Sequence, residues 1–141
     1  MRVVLVSGIY PPDIGGPASF IPTLAHYLSK NGVEVIVITL GDVPFYEREC
    51  DSSWVVLRVG RGLNIVLRQL VTVFLIVRYA IKSDLIFSNT LDFEAFLASQ
   101  FTCKRHIVKV VGDLAWERSR VNSLFEGDIE DFQSEVVQSF R

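Results

Sequence analysis

The run Val3-Val4-Leu5-Val6-Ser7-Gly8-Ile9-Tyr10-Pro11-Pro12-Asp13-Ile14-Gly15-Gly16-Pro17 decides how this chain is read. Its opening residues are continuously apolar, the pattern of a parallel strand covered on both faces. A helical pattern begins at Pro17, so the stretch from Gly8 to Pro17 is the turn between a buried strand and a helix. Gly15 and Gly16 have no Cβ, so the backbone there can take φ > 0 and let another molecule approach closely. Pro17 suits the first helical position, where its missing N–H would have no partner anyway. Free N–H groups and the helix dipole make such a turn a candidate anion site. A plain strand-to-helix turn would use the same residue types, and spacing alone does not separate the two readings.

Working outward, Phe20, Ile21, Leu24, Ala25 and Leu28 recur at helical spacing, and Asn31-Gly32 stops the helix. Val33 to Leu40 reads as the next strand, which completes a βαβ unit with an expected right-handed crossover. Gly41 to Ser53 reads as a polar loop. Trp54 to Val59 is a third strand, broken by Gly60-Arg61-Gly62, and Leu63 to Lys82 is the longest apolar stretch. Asp84 to Phe87 is a fourth strand, ended by Ser88-Asn89-Thr90. Phe93 to Cys103 is a short helix, and His106 to Val111 a fifth strand, stopped by Gly112-Asp113. Residues 114–125 and 128–141 read as helices, the last with Ile129, Phe132, Val136 and Phe140 on one face. Alternating strands and helices predict an α/β fold with a doubly wound parallel sheet. Such sheets bind ligands beyond the carboxyl ends of their strands. The opening loop, Ser88-Asn89-Thr90 and Gly112-Asp113 all follow apolar strands, so the fold is expected to gather them at one edge.

The bulk numbers agree with a folded domain. The 141 residues are 50% hydrophobic and 21% charged, which excludes disorder. A net charge of −2 gives no sign of nucleic-acid binding. Cys50 and Cys103 are too few and too isolated for a disulfide framework, and no His, Cys or Asp cluster has metal-ligand spacing. Reduced thiols and an apolar start that turns polar within ten residues lead to the expectation of a cytoplasmic protein.

Tyr10-Pro11-Pro12, Gly15-Gly16, Leu24-Ala25, Leu28, Asn31-Gly32-Val33-Glu34-Val35 and Val37-Ile38-Thr39 together resemble the amino-terminal signature of group 1 glycosyltransferases, the GT-B, family 4 enzymes. The later run Val111-Gly112-Asp113-Leu114-Ala115-Trp116-Glu117-Arg118, followed by Asp131-Phe132-Gln133, is similar to a subgroup of the same family. The resemblance spans most of the chain. It implies a hexosyltransferase, usually retaining, that moves a sugar from a nucleotide-diphosphate sugar to a glycan or lipid-linked acceptor in polysaccharide biosynthesis. It also implies a three-layer Rossmann-like sheet that is the amino-terminal half of a GT-B fold. Residues 1–141 are then expected to form a single, truncated acceptor-side domain, inactive alone, without the carboxy-terminal domain that holds the nucleotide. No cofactor beyond the sugar donor is implied, and no metal.

Carried onto this sequence, the donor-phosphate positions are Gly15 and Gly16. The position near the donor sugar is Asp113, since the chain has no His there. Asp113 could equally cap the following helix. Asn89, Trp116 and Glu117 are candidate acceptor contacts, with strand termination, core packing and solvation as their ordinary alternatives. His26 and His106 read as structural. Two other functions stand beside the transferase. One is a non-catalytic interaction subunit that docks on a separate chain carrying the catalytic half. The other is a dinucleotide-binding domain, which the lack of a Gly-x-Gly-x-x-Gly run disfavours.

The stretch 63–82 has bilayer-crossing length, but Arg68, Gln69 and Arg78 interrupt it. At about 100° per residue Asn64, Arg68, Thr72, Arg78 and Lys82 gather on one side, with Leu75 among the apolar residues intruding there. A core helix is the plain reading. The other is an outer face that meets a partner or the inner face of a membrane as a peripheral contact, for which Leu75→Glu would be the test.

Overall fold

The computed structural model describes residues 1–50, 53–110 and 128. Met1–Lys109 forms one compact unit, and a second unit starts at Val110. The expected helices over 114–125 and 128–141, and the residues Asp113, Trp116 and Glu117, lie outside the described residues.

The element order is β1 (Arg2–Ser7), α1 (Gly16–Lys30), β2 (Glu34–Gly41), β3 (Tyr46–Cys50), β4 (Val55–Gly60), α2 (Ile65–Ala80), β5 (Leu85–Ser88), α3 (Asp92–Thr102) and β6 (Arg105–Val108). The protein is α/β, with a six-stranded sheet ordered β3-β4-β2-β1-β5-β6. Every neighbouring pair is parallel except β3 with β4. Successive strand residues face opposite sides, and here both sides are apolar. Val4, Val6, Ile36, Ile38, Leu57, Val59 and Ile86 pack with α2 and α3. Val3, Leu5, Val35, Val37 and Val56 pack with Ile21 and Ala25 of α1. That double burial is why β1, β2 and β4 are near-continuous apolar runs.

The helix ends follow local chemistry. Gly32, at φ 75°, closes α1: its N–H donates to the Ser29 carbonyl at 3.0 Å, and that of Val33 to Leu28 at 3.0 Å. Asn64 caps α2, its side-chain oxygen accepting from the Leu67 N–H at 2.9 Å. Among the described residues no helix is long and apolar enough to cross a membrane.

Three expectations need correction. Part of the Gly41–Ser53 stretch, read as a loop, is strand β3, antiparallel to β4. It has no apolar alternation to show in the sequence, because it is an edge strand whose Glu47, Arg48 and Glu49 are exposed. Charge on an edge strand blocks pairing with other chains. The orientation of α2 is the second. Thr72, assigned to the polar side, is buried and donates to the Arg68 carbonyl at 2.8 Å. Leu75, chosen to represent the outer face, packs in the core at 7% exposure. The outer face carries Val66, Leu70, Phe74 and Ile81 instead. A helix apolar nearly all round gives periodicity no means of deciding which side faces the sheet. The last strand is also shorter than expected, ending at Val108.

Candidate functional site

Strands β1 and β5 are neighbours, with Val6 beside Ser88. The helix after β1 packs on one face of the sheet and the helix after β5 on the other. Their outgoing loops therefore diverge at the carboxyl edge, where open parallel sheets form their ligand crevice.

One wall is the Gly8–Gly16 loop. Gly15 sits at φ 154°, ψ 168°, a region open essentially to glycine alone, and a Cβ there would lie 2.8 Å from Ile9 Cδ1. A Cβ on Gly16 would meet nothing within 4 Å, so the backbone faces open space. The first helical bond of α1 runs from the Ser19 N–H to the Gly15 carbonyl at 3.1 Å. The N–H groups of Gly16 and Ala18 precede it and have no intrahelical partner, while Pro17 has no N–H. No side chain caps this end and no acid occupies its first turn. The Lys109 ammonium lies 3.5 Å from the centroid of the Phe20 ring, one turn into α1. The site is therefore electropositive through both the helix end and a lysine.

The loop is held from the side by β4 and the turn after it. Arg61 donates both guanidinium nitrogens to the two Asp13 oxygens, one bond at 3.0 Å and a shorter second. This holds the Asp13 carboxyl below its ordinary pKa, with a further contribution from the Tyr10 N–H. Arg58 donates to the Pro11 carbonyl at 2.8 Å, and its guanidinium lies 5.3 Å from the centre of the Tyr10 ring. Trp54 Nε1 donates to the Tyr10 hydroxyl at 3.0 Å. Beside this clamp lies a cleft of about 210 Å³ lined by Pro12, Asp13, Gly41, Asp42, Val43 and Arg58.

The other wall is Ser88–Leu91. The Asn89 N–H donates to the Val6 carbonyl at 2.9 Å, extending the β1–β5 ladder. By the alternation of β5, in which Phe87 faces α1 and Ile86 faces α3, Asn89 falls on the α1 side. It is fully buried, and among the described residues neither Oδ1 nor Nδ2 has a hydrogen-bond partner. Buried polar groups are nearly always paired, so an amide with four unused hydrogen-bonding positions calls for an explanation. Thr90 and Leu91 follow at φ 97° and 56°, unusual for any residue with a Cβ and most of all for a β-branched one. Thr90 Oγ1 accepts from the Gly8 N–H at 2.6 Å and so ties the two walls together.

Ser88 turns to the opposite side. Its Oγ donates to Asp92 Oδ1 at 2.6 Å and lies 2.9 Å from His106 Nε2. The three residue types are those of a hydrolytic triad, but their order differs: the hydroxyl lies between the acid and the imidazole, and the acid bonds the hydroxyl where a triad acid would orient the imidazole. The group ties β5, β6 and α3 together. Burial pushes the His106 pKa down, and the Asp92 charge opposes this in part.

The structure thus brings Gly15, Gly16 and Asn89 to the same edge and the same side of the sheet. Sequence reasoning missed Lys109, Arg58 and Arg61. The two arginines carried a usable signal, since charged residues at the carboxyl end of a β strand face the ligand edge. Lys109 carried none, because its position depends on how the short β6 ends. Among the described residues no cluster of His, Cys, Asp and Glu is placed to hold a metal ion. No family model matches this chain, and no curated protein matches it.

Proposed function

We propose that this chain is the acceptor-side domain of a glycosyltransferase that moves a sugar from a nucleoside-diphosphate sugar to a glycan or lipid-linked acceptor. The finer architecture belongs to the same proposal: a three-layer, doubly wound, Rossmann-like domain that is one half of a GT-B enzyme. The observation that most favours this reading is Asn89. A buried amide with unused donors and acceptors suits sugar hydroxyls, which both give and accept hydrogen bonds. It lies on the side of the sheet where α1 presents free N–H groups and Lys109 a positive charge. The Gly16 and Ala18 amides and Lys109 would receive the donor pyrophosphate, whose negative charge grows as the sugar leaves. Asp113 remains the candidate group beside the donor sugar, and Trp116 and Glu117 remain candidate acceptor contacts. In a GT-B enzyme the nucleotide is held mainly by the other half of the fold, so residues 1–141 by themselves are expected to bind donor weakly.

The test is a titration of the isotope-labelled chain with a nucleoside diphosphate and with nucleotide sugars, followed by amide chemical shifts. Shifts at Gly15, Gly16, Ala18 and Asn89 are expected at millimolar ligand. Gly16→Asp adds a carboxylate where a Cβ meets nothing, and should weaken binding by about tenfold through charge at the helix end. Absence of shifts at these amides, or indifference to Gly16→Asp, overturns the proposal.

A further inference from the structure

The outer surface of α2 and α3 is apolar where helices packed on a sheet ordinarily turn polar. On α2, Leu70, Phe74 and Ile81 lie along one stripe with Val66 and are 60–63% exposed. On α3, Phe93, Phe96 and Phe101 are 61%, 51% and 74% exposed. Both helices cover the same sheet face and pack against each other, so their outer sides adjoin. Scattered exposed apolar residues are ordinary, but a contiguous run of large ones marks an interaction surface.

The charges around this surface are mostly positive. Helix α2 contains no Asp or Glu. Of the acids on α3, Asp92 is bound to Ser88 and Glu94 is buried. Both helices return from the carboxyl edge of the parallel sheet to its amino edge. Their ends bring Arg78, Lys82, Lys104 and Arg105 there, beside the exposed Ile81 and Phe101. Among the described residues none of these four cations is paired with a carboxylate. The nearest acid in sequence, Asp84, accepts from the Arg2 backbone N–H at 2.8 Å. A surface that is apolar below and negative above meets both requirements.

We propose that the α2–α3 face docks on an anionic lipid bilayer, with both helices lying along the interface and neither crossing it. Apolar side chains enter the boundary of the acyl chains while the basic end meets the headgroups. The proposal stands on this face alone and does not depend on the transferase reading.

Co-sedimentation of the full chain tests it, using vesicles of phosphatidylcholine alone and of equimolar phosphatidylcholine and phosphatidylglycerol. The chain is expected to sediment with the mixed vesicles and much less with the neutral ones. Leu70→Ser with Phe74→Ser should lower the partition coefficient by at least about tenfold. Arg78→Gln with Lys82→Gln, on exposed side chains, should lower it by about twentyfold and remove the preference for anionic lipid. The charge pair keeps the test open if the apolar variant does not fold, as judged by circular dichroism and thermal unfolding. Failure to sediment with anionic vesicles overturns the proposal, as does undiminished binding by a folded variant. A chain dimer that Leu70→Ser with Phe74→Ser dissociates would also overturn it, because a second copy would then be the occupant.

Discussion

The two walls of the crevice between β1 and β5 are built on opposite plans. The Tyr10–Gly16 wall puts its unusual backbone on glycine and is braced from outside by Arg58, Arg61 and Trp54. The Ser88–Leu91 wall puts its unusual backbone on Thr90 and Leu91 and buries an amide without partners. The first wall is braced into its geometry by contacts within the chain itself. The second carries conformational cost and an unmet hydrogen-bonding demand, the features expected where a ligand completes a site. Under the proposed function the first wall positions the anion and the second recognises hydroxyls.

Removing the brace should have the largest effect. Arg61→Ala leaves Asp13 without its paired charge-assisted bonds and is expected to cost about 2–3 kcal/mol in urea unfolding. It should also weaken nucleoside-diphosphate binding, because the loop that aims α1 loses its anchor. If stability falls by less than about 0.5 kcal/mol, the first wall is not braced as described.

The second wall should respond with the opposite sign. Asn89→Leu replaces an unpaired amide by an apolar group of similar size and is expected to stabilise the protein by about 1–2 kcal/mol. The same change should abolish the chemical shifts that a nucleotide sugar produces. A variant both more stable and unable to bind would separate a ligand-binding amide from a merely structural one. A destabilised variant would show that Asn89 is a packing residue.

How much of this was legible in the sequence differs between the walls. Gly15 and Gly16 announced the first, because a strand, a glycine pair and an amphipathic helix are adjacent in the chain. The edge position of Arg58 and Arg61 was legible but their pairing was not, since Arg61 and Asp13 are 48 residues apart and nothing local couples them. Asn89 was readable as a loop residue at the ligand edge, but its burial depends on neighbours from β1. The same limit governs the rest of the fold. The double-sided burial of β1, β2 and β4 appears as apolar runs, whereas β3 hides behind its charges. Helix α2 is apolar on both sides and gives no clue to its orientation.

The pH dependence sharpens the comparison through groups attached to each wall. His106 has a depressed pKa, so the native state binds less proton than the unfolded chain. Its contribution is present above the ordinary imidazole value of about 6.5 and is lost as pH falls through the lower folded value. Asp13 is also depressed, so its contribution is present above the usual carboxylate range and is lost as pH falls below it. Urea midpoints followed downward in pH should therefore decline in two stages, His106 first. His106→Gln should flatten the upper stage and Asp13→Asn the lower one. A single decline below pH of about 4 would remove His106 from the account.

The smallest effect is expected at Thr90. Thr90→Ser keeps the hydroxyl that accepts from Gly8 but removes the branched Cβ at φ 97°. A gain of about 0.5 kcal/mol is expected. A loss would mean that the methyl group packs well enough to outweigh the strain.

The position of β1 has a consequence for how the chain comes together. It lies inside the sheet, with one flank supplied by residues 34–39 and the other by residues 85–88. During synthesis the first βαβ unit can form early, but one side of β1 stays open until β5 has emerged. The bond from Asn89 N–H to Val6 carbonyl then extends that second ladder. Joining partners so distant in sequence is intrinsically slow, and an unpaired strand edge is exposed to aggregation meanwhile. The residue that carries the buried amide thus also helps seal the second flank of β1, so the two walls meet only once β5 has joined the sheet.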